Sequence, residues 1–268
     1  MNDILEELTA ARRADAAERE KEIPFEEMVR RAREASPARG FARAISRPGT
    51  NIIAELKRAS PSEGMIREDF RPVELALSLE RAGVAALSVL CEPHRFLGSE
   101  TYLAEVRERT GLPVLYKDFI STRYQIAAAR AAGADAVLLI AAVLGGEELA
   151  GLLGFAHDLG MDALVETHVE SEIEKARLAG SRVIGVNCRN LRNFATDVSL
   201  LEKLVALVPP ECVRVAESGM HSPADVARAR AAGATGFLVG TALMRSPSPA
   251  ATLESFITAD ASKFSSPR

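Results

Sequence analysis

The chain has 268 residues, 47% of them hydrophobic and 26% charged, which is enough apolar material for one sizeable core or two small ones. Its formal net charge of −4 argues against a broadly basic surface for nucleic acid and leaves room for a local anion site. No apolar run approaches the roughly 18 residues of a membrane span and charges begin at Asp3, so no nucleic-acid partner, no membrane and a cytoplasmic location are expected.

In chain order, Ile4, Leu5 and Leu8 followed by a charge-rich run read as an amphipathic helix, and Pro24 and Pro37 open and interrupt further helical stretches. This extension, 1–48, either covers one end of the main body of the chain or borders a site. The period changes at Ile52. In IIAEL and the lysine after it, alternation puts Ile53, Glu55 and Lys57 on one strand face and Ile52, Ala54 and Leu56 on the other.

Four later segments resemble one another: RAGVAALSV (Arg81–Val89), AAGADAVLL (Ala131–Leu139), LAGSRVIGV (Leu178–Val186) and AAGATGFLV (Ala231–Val239). Each reads as a helix end, a glycine and a short apolar strand, the glycine tolerating the left-handed turn that stops a helix. Gly83, Gly133, Gly180 and Gly233 recur about every 50 residues, the length of two strand–helix units. Between them lie strands in PVLYK near Pro113, DALVE near Asp162 and CVRVAE near Cys212, with helical patterns at Arg123–Ala131, Glu170–Leu178 and Pro223–Ala231.

Eight strands alternating with helices predict an α/β fold, a (β/α)8 TIM barrel over 49–258 carrying the helical extension, with 259–268 as a flexible tail and the whole as a single domain. An open doubly wound sheet is the alternative, but it would bring a GxGxxG turn, and none exists.

Strand parity then groups the charges. Lys57 shares a face with Glu55, Lys117 with Leu115, Glu166 with Leu164, and Glu217 with Val215; Asn187 follows Val183 and Gly185, with Arg189 two positions on. All follow their apolar runs, at the C-terminal rim where a barrel builds its active site. Burying two lysines and three glutamates unpaired would cost several kcal/mol per ion, so they are expected to compensate one another and admit a charged ligand. Ser60-Pro61-Ser62, Ser218-Gly219 and Gly240-Thr241 follow strands one, seven and eight, and the last two are where barrels hold phosphate. Cys91, Cys188 and Cys212 lack close spacing and the four histidines are scattered, so neither disulfides nor a metal site is expected.

ELKRASPSEGMIREDF (Glu55–Phe70), ALSVLCEPHRFLGS (Ala86–Ser99), VLYKDFI (Val114–Ile120), GVNCRNLRNF (Gly185–Phe194) and VAESGM (Val215–Met220) together resemble indole-3-glycerol phosphate synthase, in order through all eight strands. The resemblance implies conversion of 1-(2-carboxyphenylamino)-1-deoxyribulose 5-phosphate to indole-3-glycerol phosphate, CO2 and water in tryptophan biosynthesis, with no metal or organic cofactor. The implied partner is that anionic phosphosugar–anthranilate molecule alone, and a monomer is expected.

Carried over by position, Lys117 is implied as the general acid of ring closure, Glu166 as the proton-transfer group of dehydration and Asn187 as the group orienting the intermediate. Lys57, held by Glu55, is an electrostatic clamp or a second acid. Glu217 positions and Ser218 contacts the substrate; Arg189 meets an anionic group. Gly219, Gly240 and Thr241 hold phosphate, Ser60 lies near an anionic end, and Phe96 covers the aromatic ring.

Three positions depart from the family: Cys91 for threonine, Cys188 for a polar residue, and Tyr116 for arginine or methionine; both cysteines read as small buried hydrophobes. Two other readings stand beside this one, a catalytically idle phosphate-binding barrel or assembly partner, and another phosphosugar barrel such as phosphoribosylanthranilate isomerase. The latter resembles a first strand ending in cysteine, where this chain has Glu55-Leu56-Lys57.

Overall fold

The computed structural model describes residues 4–189 and 198–258. Eight parallel strands close into a barrel: β1 (Asn51–Leu56), β2 (Ala86–Leu90), β3 (Val114–Lys117), β4 (Ala136–Ile140), β5 (Asp162–Thr167), β6 (Val183–Asn187), β7 (Val213–Glu217) and β8 (Gly236–Val239). Each pairs with its sequence neighbours, and β8 returns to β1 with Asn51 opposite Gly236 and Ala54 opposite Val239. A two-stranded hairpin, Ala59–Ser60 with Gly64–Met65, follows β1. The tail at 259–268 and the motif residues 190–194 lie outside the described residues.

The helices between strands start and stop on local signals. The helices Arg123–Ala131 and Pro223–Ala231 begin with capping boxes on Thr122 and Ser222. The four repeat glycines all adopt positive φ (88°, 97°, 84° and 106° for Gly83, Gly133, Gly180 and Gly233), the conformation expected where a helix turns into the next strand.

Alternation divides the core in two. Ile53, Leu115, Leu164, Val183, Val215 and Leu238 fill the barrel interior. Ile52, Ala54, Leu87, Val137, Val165, Ile184 and Phe237 face the helical shell. Burying both faces of every strand is what a parallel sheet under helices demands. Tyr116 points outward, its hydroxyl donating to Glu100 Oε1 at 2.8 Å.

The N-terminal extension runs from one end of the barrel to the other. Its first helix, α1 (Ile4–Glu22), crosses the C-terminal rim, where Arg12 grips the buried Asp118 through Nε at 3.0 Å and Nη2 at 2.8 Å. The second, α2 (Phe25–Glu34), descends along the helix Arg123–Ala131, and Tyr124 Oη donates to Ile23 O at 3.0 Å. The third, α3 (Phe41–Ala44), plugs the opposite end: Phe41 and Ile45 are fully buried among the interior residues, and the Ala42 amide donates to Asp162 Oδ2 at 2.8 Å. The extension thus places α1 at the C-terminal rim and α3 at the opposite end.

Candidate active site

The strand ends converge on a single pocket at the C-terminal rim, lined by Glu55, Lys57, Lys117, Glu166, Asn187 and Glu217. Lys117 is its centre. Lys117 Nζ donates to Glu217 Oε2 at 2.8 Å and to Glu166 Oε2 at 3.1 Å, with side-chain exposures of 13%, 1% and 6% for the three. Across the mouth, Lys57 Nζ lies 2.6 Å from Glu55 Oε1.

Burial would lower the Lys117 ammonium, but the fields of Glu217, Glu166 and Glu55 override it and raise its pKa. Burial likewise pushes Glu55 up, and Lys57 and Lys117 pull it below its usual range. Glu166 and Glu217 compete for the same lysine. Burial and the charge of Glu166 push Glu217 up, whereas Lys117 and His168 outweigh burial at Glu166 and hold it low. The two therefore divide: the ionised form is favoured at Glu166 and the protonated form at Glu217.

Two glycines make room for these carboxylates. A Cβ at Gly185 would overlap Glu217 Oε1, and one at Gly240 would lie 2.5 Å from Glu55 Oε1 and 3.2 Å from its Cβ. Asn187 Oδ1 accepts from Ser218 Oγ at 2.8 Å and from the Arg189 amide at 3.1 Å, so its oxygen is engaged from both sides. Ser218 has φ 64°, sparsely populated for a residue with a side chain, and Gly219 follows at φ 71°. Arg189 Nη1 donates to Ser62 Oγ at 2.9 Å, joining the loops after β6 and β1, and Ser62 Oγ is 3.3 Å from Ser60 Oγ. Gly219, Gly240 and Thr241 line the β7–β8 side, where Gly240 precedes the short helix Thr241–Arg245.

The opposite side is apolar. Phe96 and Phe119 approach with ring centroids 6.0 Å apart, joined by Leu138 and Ile140 from β4 and by Ile4, Leu5 and Leu8 of α1. Phe96 is placed by Glu92, fully buried, whose carboxylate accepts from the amides of His94 at 2.7 Å and of Arg95 and Phe96 at 2.8 Å. The same loop is tied to α1 by His94 Nε2 to Asp15 Oδ2 at 2.8 Å and Arg95 Nη2 to Glu7 Oε1 at 3.0 Å.

All thirteen residues singled out from the sequence line this one pocket. Sequence reasoning did not single out Phe119, Glu92, Asp118 or His168. Phe119 carried a signal, an aromatic two residues past Lys117. Glu92 carried none, because its role is to collect backbone amides of its own loop. Cys91 and Cys188 are both buried.

The chain matches the family model described as indole-3-glycerol phosphate synthase over residues 5–256. It is 42% identical over 255 residues to the indole-3-glycerol phosphate synthase of Lachnoclostridium phytofermentans, covering 90% of this chain and 94% of that one. It is 45% identical over 247 residues to the enzyme of the same name from Desulfotalea psychrophila, covering 91% and 95%. Among solved structures, a 3-hexulose-6-phosphate synthase superposes with TM-score 0.60 at 15% identity over 78% of this chain and 99% of that one. A thiamine phosphate pyrophosphorylase from Pyrococcus furiosus gives TM-score 0.60 at 14% identity, over 80% and 96%; these two likenesses speak to the fold alone.

Proposed function

We propose a division of labour for this pocket from the premise that the chain belongs to the indole-3-glycerol phosphate synthase family, and so catalyses ring closure, decarboxylation and dehydration of 1-(2-carboxyphenylamino)-1-deoxyribulose 5-phosphate. The observation that carries the proposal is one buried ammonium, Lys117, within hydrogen-bond reach of two carboxylates from other strands, Glu166 and Glu217.

The pocket's polarity orients the substrate. Its aromatic ring lies on the apolar side, against Phe96 and Phe119 beneath α1, and its phosphate meets Ser218-Gly219 and Gly240-Thr241 at the β7–β8 side, where TIM barrels commonly bind phosphate. Arg189, bonded to Ser62 with Ser60 next to that serine, faces a remaining anionic group. The reacting carbons then fall between, over the Lys117 cluster.

In ring closure the aryl carbon attacks the ketone carbon, the carbonyl electron pair moves to oxygen, and Lys117 donates a proton there. The C–CO2 bond breaks and its electrons restore the aromatic ring. In dehydration the hydroxyl leaves as water with a donated proton, and the neighbouring ring carbon loses its proton to Glu166 as the pyrrole double bond forms. Lys57, fixed by Glu55, stabilises anionic groups or supplies the second proton; Asn187 orients the intermediate, its oxygen already held by Ser218. Glu217 sets the position of Lys117.

Residues 1–48 and 49–258 act as one domain, because α1 supplies part of the ring pocket and α3 closes the far end. The lining needs no second copy, so a monomer suffices. Among the described residues no helix is long and apolar enough to cross a membrane.

The test is to add the carboxyphenylamino ribulose phosphate to purified protein and follow indole fluorescence. Lys117→Ala and Glu166→Gln are each expected to lower turnover by about 100-fold or more, as loss of a general acid or base does, while circular dichroism stays native. Near-native turnover in either folded variant removes that residue from the role given it.

A further inference from the structure

Glu166 is approached from both sides. Its Oε2 accepts from Lys117, and its Oε1 lies 3.4 Å from His168 Nε2. His168 follows β5 on the same inward face, its ring mostly buried at 15% side-chain exposure. Beyond it stands Glu172 of the helix Glu170–Leu178, whose Oε2 accepts from the His168 amide at 2.7 Å and lies 3.3 Å from its Nδ1. A neutral imidazole has one N–H and can serve one of these carboxylates; an imidazolium donates toward both. Nε2 is buried without a closer partner than Glu166, so that carboxylate is what it has to satisfy.

Among the described residues Glu217 has no such second cation against its carboxylate. Lys117 occupies its Oε2, and its Oε1 is buried without a hydrogen-bond partner. From this asymmetry we infer that His168, held by Glu172, is a positioning residue that keeps Glu166 the ionised member of the Glu166–Glu217 pair, making Glu166 the proton acceptor and Glu217 the proton holder. The directions of the shifts agree: burial lowers the His168 ring but Glu172 and Glu166 raise it further, while Glu166 is held low and Glu217 is pushed up. Among the described residues, the charged groups around His168 are Glu166, with Lys117 and Glu217 behind it, and on the helix side Glu172, within the field of Lys175. The inference rests on the role of Glu166 as proton acceptor in dehydration.

The experiment is the pH profile of kcat, with KM measured alongside, for the native protein, His168→Gln, Glu172→Gln and Glu166→Gln. An opposite charge within about 4–6 Å lowers a carboxyl by about 1–3 units, so His168→Gln is expected to move the acid limb up by about one pH unit or more. KM should stay within about twofold, since the interaction removed does not bind substrate. Glu172→Gln, which keeps an acceptor for the backbone, should shift the limb the same way by less. Acid limbs coincident with the native one in both variants overturn the inference, as does a loss carried by KM alone; if His168→Gln does not fold, Glu172→Gln decides by itself. Glu166→Gln separates the two readings: turnover retained there sinks the role of Glu166, whereas an inactive Glu166→Gln with unmoved limbs sinks only the part given to His168.

Discussion

Gly185→Ala tests the pocket without replacing any of its charged residues. A methyl at this position overlaps Glu217 Oε1 and lies 3.1 Å from both Glu217 Cδ and Leu164 Cδ1. The backbone there needs no left-handed φ, and what blocks the methyl is the far end of a flexible side chain, so the fold yields cheaply. Removing a strand glycine even recovers about 0.4–1 kcal/mol from the unfolded chain. The carboxylate, however, must retreat by roughly 1 Å from where it now holds Lys117 at 2.8 Å, and misplacement on that scale costs about a hundredfold in rate. The expected result is a kcat/KM about 100-fold below native by the indole fluorescence assay, with a thermal midpoint within about 3 °C of it. Native turnover in this variant would show that the position of Glu217 does not govern Lys117. A matching loss of stability would instead show that the cluster holds the barrel together rather than serving its chemistry.

Arg12→Met leaves Asp118, whose side chain is wholly buried, without the guanidinium that grips it through two nitrogens. Breaking such a pair costs about 3 kcal/mol, read as a melting temperature lower by about 5–10 °C, and adding Asp118→Asn should restore part of it. An unchanged melt would mean that α1 is not anchored through this pair. Glu55 is held below its usual 4.5, so its stabilising contribution is complete above that value and lost as pH falls through its lower folded-state pKa. The gap in urea midpoint between the native protein and Glu55→Gln should therefore narrow on acidification. His168 is raised above 6.5, so the gap between native and His168→Gln should be widest below 6.5 and close as pH rises through the raised value.

Most of the barrel was legible because its signals are local. A glycine stops each repeat helix, and an apolar run of period two comes next. The inward parity of Glu55, Lys117, Glu166, Asn187 and Glu217 needed only counting along each strand. The helices Arg123–Ala131, Glu170–Leu178 and Pro223–Ala231 have the bounds their patterns predict. What parity could not supply was distance across the barrel. The Lys117 contacts to Glu166 and Glu217 span 49 and 100 residues of chain, and Arg12 reaches Asp118 across 106.

The sequence by itself determined which side chains face the rim, because strand alternation is a property of the backbone alone. It could not determine which of the three glutamates is pushed up and which are held low. That choice depends on burial and on opposite charges within a few ångströms, and those neighbours arrive from different strands. Gly185 makes the same point: it reads locally as an ordinary small residue, and only in the closed barrel does a carboxylate from an adjacent strand fill the space its missing side chain leaves.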